Sequence, residues 1–397
     1  MEENRIDSDA YTSILSREYS ERIPCRVLSV EKSEIKDTLK KEEKILNVKR
    51  VPRILHSSFL SNKKGIEIET EKKNEKDTVW ILLKEESSRG DRAVLVLSYE
   101  YFTHNELLKK AGISEDEYQS SYNKVGNIIH LNLKDDSVKH KEIISQVLLD
   151  KIKDCKTVIR KCSNINNTFR NIEIEHLAGK RAYKTVHKEN GLRFSIDYDK
   201  VYWNSKLQKE RENLSGKISK NETVCDLFCG VGPFSILALA KGATVWANDL
   251  NPDSIKNFKE SIVLNRKVLG VESESVVWNE ELEDRIFLYN LDAHDFLIKS
   301  AEEKKRKTNS KIFNHYILNL PELTLSFIKY FVKIEEDVKE ETKATVHAYF
   351  FIKTGESAVE KIEAEMNRKV ICTSRLVRKV SPCKEMWLVS FELLKNN

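Results

Sequence analysis

The chain has 397 residues, 40% hydrophobic and 33% charged, with 68 basic and 63 acidic side chains and a net charge of +5. That length accommodates two or three domains with their own cores, and no segment approaches the roughly 20 apolar residues that cross a bilayer. Seven cysteines without a C-x-x-C pair and nine histidines without ligand spacing exclude a disulfide scaffold, a zinc ribbon and any recognisable metal site.

The acidic start, Met1 to Ala10, resembles neither a signal nor a transit peptide, so a cytoplasmic protein is expected, with nuclear or mitochondrial pools left open. The small positive charge permits a polyanionic partner without demanding one. To about residue 120 the chain is charge-rich, with strand-like runs at 24–30, 78–83 and 93–99, helical character over 32–46, and a polar, exposed loop over 61–76. From 121 to 190 a strand is expected at Gly126–Leu133. An amphipathic helix follows over His140–Lys153, with Ile143, Ile144, Val147 and Leu148 on one face. Strands at 157–160 and 169–177 complete a small α+β unit.

From 191 onward strands and helices alternate, with strands near 223–228, 244–249, 285–290, 315–320 and 344–353. That rhythm predicts an α/β fold, a Rossmann-like doubly wound parallel sheet preceded by two smaller α+β domains. A closing hairpin, 370–380 with 385–394, is expected at one sheet edge. The run Lys304-Lys-Arg-Lys307 reads as a solvated helix end. The domain boundaries expected are 1–120, 121–190 and 191–397.

The chemistry concentrates in Thr223-Val-Cys-Asp-Leu-Phe-Cys-Gly-Val-Gly-Pro-Phe-Ser235. A buried strand carrying Asp226 runs into a glycine turn, where Gly230 and Gly232 let backbone approach a ligand and Pro233 opens a helix. The next strand ends at Asp249, placed to accept both hydroxyls of a ribose. Ser235 stands where a dinucleotide site has its third glycine, and no second nucleotide-binding half follows. S-adenosylmethionine therefore fits better than NAD. Asp292, ending the third strand, is placed to accept from the exocyclic amine of adenine. Asn319-Leu-Pro321, at the end of the fourth, makes a rigid loop with spare carbonyls to hold the edge of a nucleobase.

These motifs, together with Tyr99–Phe102, Ile128–Leu133, Asn167–Arg170, Leu177–Gly179, His187–Gly191, Val201–Ser205 with Glu210-Arg211, Asp249–Pro252, Val346–Tyr349 and Lys384–Met386, resemble the eukaryotic and archaeal tRNA (guanine(37)-N1)-methyltransferases over residues 95–397. The resemblance implies a class I enzyme that moves a methyl group from S-adenosyl-L-methionine to N1 of the guanine 3′ to the anticodon. It also implies a tRNA partner gripped by the first two domains, with the target base flipped into the pocket. No membrane contact is expected, and nothing demands more than a monomer.

Guanine N1 must lose a proton as it attacks, and charge then builds toward O6. The resemblance makes Glu210 the base, Arg170 the cation and Asn319 with Pro321 the clamp. It gives Arg211 to the cofactor carboxylate, and Asp226, Gly230, Gly232, Pro233, Asp249, Leu250, Asp292 and Ala293 to the cofactor cradle. Taken alone, Glu210 reads as half of an i,i+4 helix pair and Arg170 as a solvent-facing strand residue. Cys229 as a thiol nucleophile is a poorer reading, since its place suits packing. Lys206 and Glu322 depart from the family pattern, and residues 270–284 read as an insertion. An RNA methyltransferase acting on guanine N2 or adenine N6, or a silent RNA-binding protein, remain the alternatives.

Overall fold

The computed structural model describes residues 8–56, 64–71, 78–114, 122–133, 135–162, 173–270, 284–339 and 343–394. Arg170 and most of the 270–284 insertion fall outside the described residues. The chain forms two compact units, the first built from 1–122, 129–160 and 176–180 and the second from 123–128, 161–175 and 181–397.

In the first unit a five-stranded sheet has the order Ile54–Leu55, Thr78–Lys84, Ser20–Glu31, Asp91–Ser98, Ile66–Glu69. Ile66–Glu69 corrects the loop expected over 61–76. Its four residues alternate apolar and acidic, a strand period overshadowed in sequence by flanking lysines, and they pair with Val94–Leu97. The helix expected over 32–46 is only Ile35–Lys41 and buries no residue, so nothing tertiary extends it. Lys141–Lys151 is the expected amphipathic helix, and it buries Ile143, Ile144, Val147 and Leu148 in the core with Trp80, Leu82 and Leu95. The strand expected over 126–133 is Ile128–Leu131, with Gly126 held at φ +57° before it.

The second unit carries a seven-stranded sheet. Its strands are β1 (Thr223–Asp226), β2 (Thr244–Asn248), β3 (Ile286–Tyr289), β4 (His315–Leu318), β5 (Thr345–Lys353), β6 (Cys372–Ser381) and β7 (Lys384–Glu392), in the spatial order 3-2-1-4-5-7-6. β1 to β5 are parallel, and the β6–β7 hairpin is antiparallel at the edge, as the alternation predicted. β1 and β4 are neighbours although two strands intervene in sequence. The winding reverses between them, and in open α/β sheets ligands bind beyond the carboxyl ends at such a point.

The opposite end of the sheet is sewn by polar side chains. His315 pairs through Nε2 with Glu222 and through Nδ1 with His347, each at 3.0 Å, and His347 Nδ1 meets Ser390 Oγ at 2.9 Å. Burial pushes His347 well below the ordinary histidine range, so the ring is neutral and bridges as donor and acceptor. His347 of the Val346–Tyr349 motif thus has a structural role far from the carboxyl ends of the strands, whereas Tyr349 packs against Phe234 near Glu210 and Arg211.

A hairpin, Lys184–Glu189 with Leu192–Asp197, turns at Asn190-Gly191 with φ of 50° and 77°, the left-handed pair a two-residue turn requires. Helix Pro252–Asn265 satisfies its free edge. Arg193, Ser195 and Asp197 donate backbone N–H groups to Asn265, Ser261 and Asn257 at 2.8–2.9 Å. Two residues of strand and four of helix both advance about 6–7 Å, so the two periods match. This lacing fixes the hairpin that delivers Glu189 to the site.

Candidate active site

A cavity of about 440 Å³ opens at the carboxyl ends of β1, β2 and β4, entirely within the second unit. Its floor is the turn Phe228–Val231. Asp249–Asn251, Asp292 with Ala293, and Asn319–Leu323 form three sides, and Tyr202–Asn204, Arg211, Phe351, Arg378 and Met386 close the rest.

The glycine turn is held from below. Gly230 N–H donates to Asp249 Oδ2 at 2.8 Å and Asn251 N–H to Oδ1 at 2.9 Å, and the Ser254 hydroxyl also bonds the carboxylate, so Asp249 is held by three protein groups with acceptor capacity left toward the cavity. Crowding by protein holds the Asp249 carboxyl above its ordinary range. Asn248, 1% exposed, donates to Leu227 and Leu291 carbonyls and accepts from Leu291 N–H, tying the ends of three strands together. Asp292 caps helix Ala293–Thr308 through Oδ1, taking His294 N–H at 2.8 Å, which leaves Oδ2 for the cavity. Pro233 is the first residue of its helix, as expected, and lines the cavity.

The two glycines divide their duties. Gly230, φ +55°, has open space where a Cβ would stand and lines the cavity. Gly232, φ +87°, does not reach the cavity surface. A Cβ there would lie 1.5 Å from a ring carbon of Phe258. Packing against Phe258, not ligand approach, is therefore what its lack of a side chain serves. Asp226 is likewise behind the wall, 1% exposed, with Ser235 Oγ donating to it at 2.7 Å, and burial raises its carboxyl to about 7.

In the Asn319-Leu-Pro321 loop the carbonyl of Leu320 accepts from Leu323 and Thr324, and that of Pro321 from Phe351. The spare acceptor is thus a side-chain atom: Asn319 Oδ1, buried at the cavity wall with no partner among the described residues. Glu322 lines the cavity as well, 3.9 Å from Lys384.

Glu210 and Arg211, neighbours on helix Gln208–Ser215, are both buried. The partner of Glu210 is no helix neighbour but Arg375 of β6, whose guanidinium holds both carboxylate oxygens, one at 2.6 Å and the other closer. Glu210 does not reach the cavity surface, whereas Arg211 does. Arg211 gives Nη1 to Glu189 at 2.7 Å and Nη2 to the Asn204 carbonyl at 2.9 Å, stacks over Trp203 at 4.3 Å, and keeps Nε without a partner among the described residues. Leu250 and Ala293 also line the cavity. Burial pushes the Cys229 thiol well above its ordinary range, which removes the thiolate a nucleophile needs.

Sequence reasoning gave no role to Phe228, Phe327, Phe351, Arg378 or Met386. Phe228 and Phe327 meet edge to face at 5.3 Å beside the turn. The Lys384–Met386 motif was a signal for Met386, but nothing local singled out Arg378.

The chain matches the family model of the TRM5/TYW2 methyltransferase domain over residues 185–372 and that of the TYW2 N-terminal domain over 104–182. It is 36% identical over 347 residues to the tRNA (guanine(37)-N(1))-methyltransferase of Encephalitozoon cuniculi, covering 86% of this chain and 87% of that one. The enzyme of the same name from Anopheles gambiae is 36% identical over 315 residues, 76% of this chain, which spans only 54% of that longer relative. Among solved structures, that of a complex of aTrm5 with tRNALeu superposes with a TM-score of 0.64 at 25% identity, covering 93% of this chain and 99% of the other.

Proposed function

The chain belongs to the tRNA (guanine(37)-N(1))-methyltransferase family, and we propose that the cavity at the β1/β4 switch point is where it carries out that family's reaction. The chain is an S-adenosylmethionine-dependent tRNA methyltransferase acting on N1 of guanine 37, the residue 3′ to the anticodon. When bound, the cofactor supplies a methyl group activated by its sulfonium.

The residues present fit that cofactor. Asp249 lines the cavity with acceptor capacity left for a ribose hydroxyl, and Asp292 Oδ2 is left for an adenine amine, with Leu250 and Ala293 flanking the ring. Gly230 leaves room above the turn, and Arg211 Nε faces no protein acceptor. The observation that carries the reading is Asn319 Oδ1. A buried acceptor without a partner costs free energy until a ligand donor meets it, and a guanine edge carries such donors. Asn319 and Pro321 hold the base, which supplies much of the rate by orientation.

Glu210 takes the N1 proton, and because its carboxylate lies behind the cavity wall in the grip of Arg375, this role requires it to swing to the base when tRNA binds. Arg170 meets the charge growing on O6. Residues 1–120 and 121–190 contact the tRNA body, and the protein works as a cytoplasmic monomer. No helix among the described residues is long and apolar enough to cross a membrane.

The test uses methyl-labelled S-adenosylmethionine and two tRNA transcripts with guanine or adenine at position 37. Label on the guanine transcript alone, recovered as 1-methylguanosine, is expected. Equal labelling of both sinks the proposal. Glu210→Gln should lower kcat about 10²–10⁴-fold with cofactor affinity intact. Arg375→Leu should lose far less, and equal losses in the two variants would reduce Glu210 to the partner in an ion pair.

A further inference from the structure

Among the described residues, five charged side chains line the cavity: Arg211, Asp249, Asp292, Glu322 and Arg378. Arg211 is offset by Glu189. Arg378 differs in that, among the described residues, no carboxylate pairs with it. Its Nε is buried and meets no acceptor among them.

The backbone shows how it comes to be there. In the β6–β7 ladder Arg375 faces Leu388, Leu376 faces Trp387, and Arg378 faces Met386, so Val377 is an extra residue. Along a regular strand, residues three apart point to opposite faces. The bulge cancels one step and turns Arg375 and Arg378 to the same side. Arg375 then reaches Glu210, and Arg378 reaches the cavity. The same row continues across the sheet from Arg378 to Met386 to Phe351, and Phe351 N–H donates to the Pro321 carbonyl at 3.2 Å. Arg378 therefore stands on the side of the cavity formed by the Asn319-Leu-Pro321 loop, across from the ribose-binding Asp249.

We propose that Arg378 is a substrate-binding residue that donates to an oxygen of the target guanine nucleotide. This rests on the function proposed above and extends it to a residue outside the expected set. A guanidinium presents a planar fork that suits a phosphate or the O6 and N7 edge of guanine, and a charged donor aimed at oxygen is among the stronger hydrogen bonds. A nucleotide oxygen entering here would satisfy the buried Nε and meet a positive charge in a cavity that also carries Asp249, Asp292 and Glu322.

The experiment measures kcat and KM for the guanine-37 transcript, and cofactor Kd, with the full-length Arg378→Met, Arg378→Gln and Arg378→Lys variants. Losing the charged contact should lower kcat/KM for tRNA about 10- to 100-fold in the Met and Gln variants, with cofactor Kd within about twofold. Arg378→Lys, which keeps the charge without the fork, should fall between them and wild type. If the acceptor is a phosphate, KM rises and the slope of log KM against log salt falls by about 0.7–0.9. If it is O6, kcat falls and the salt slope stays. Wild-type kcat/KM in Arg378→Met or Arg378→Gln overturns the proposal, as does a parallel loss of cofactor affinity. Either folded variant suffices if the other fails to fold. A wild-type enzyme inactive on guanine 37 would instead bring down the functional reading itself.

Discussion

Replacing each of the two turn glycines by alanine should produce opposite profiles. At Gly232 the new Cβ would lie 1.5 and 1.6 Å from two ring carbons of Phe258, which is 0% exposed in the core. The ring cannot stay, so overpacking adds about 1–3 kcal/mol to the roughly 1–2 kcal/mol of left-handed backbone at φ +87°. At Gly230, φ +55°, no atom lies within 4 Å of the new Cβ, and only the backbone strain remains, about 1–2 kcal/mol. That Cβ would enter the cavity, however, where the cofactor should be excluded. Gly232→Ala is thus expected to shift the urea unfolding transition further, and Gly230→Ala to weaken cofactor binding more per kcal/mol of stability lost. Calorimetric titration and equilibrium unfolding measure the two effects. Combining Gly232→Ala with Phe258→Ala should cost less than the sum of the single losses, since the second change removes the clash. Additive losses, or equal destabilisation at the two glycines, would refute this division of roles.

Burial raises Asp226 to about 7, far above an unfolded carboxyl near 4. The folded state therefore holds a proton that the unfolded chain has released. The stabilisation from this group is full below about pH 4 and is lost as pH rises to 7, on the order of a few kcal/mol in total. Asp226→Asn should flatten that slope in unfolding curves taken from pH 5 to 8, and an unchanged slope would show the carboxyl is charged in the folded protein. Glu189→Gln should leave Arg211, only 3% exposed, as a buried charge without a counter-ion, costing about 3–5 kcal/mol. Glu189→Leu with Arg211→Met should recover much of that loss, and a near wild-type melting temperature for Glu189→Gln alone would contradict the pairing.

Much of the architecture is legible in the chain because it is written in short periods. Alternating strand and helix patterns located β1 to β5 and the edge hairpin, and the acids after β2 and β3 singled out Asp249 and Asp292. Glycine and proline placed the turn and the helix start, since φ preference belongs to a single residue. The same locality explains the misreadings. Ile66–Glu69 is too short to outweigh the lysines around it, and its pairing with Val94–Leu97 makes it a strand.

What only the tertiary structure decided are relations between residues far apart in sequence. The ring that forbids a side chain at Gly232 comes from a helix 20 residues later. The guanidinium that grips Glu210 comes from a strand 165 residues away. Arg378 enters the cavity only because one inserted residue in β6 reverses the alternation. Periodicity reports which face of an element is apolar, but it carries no information about which element that face meets or in what register. Those depend on packing and ladder pairing, which exist only once the sheet has formed.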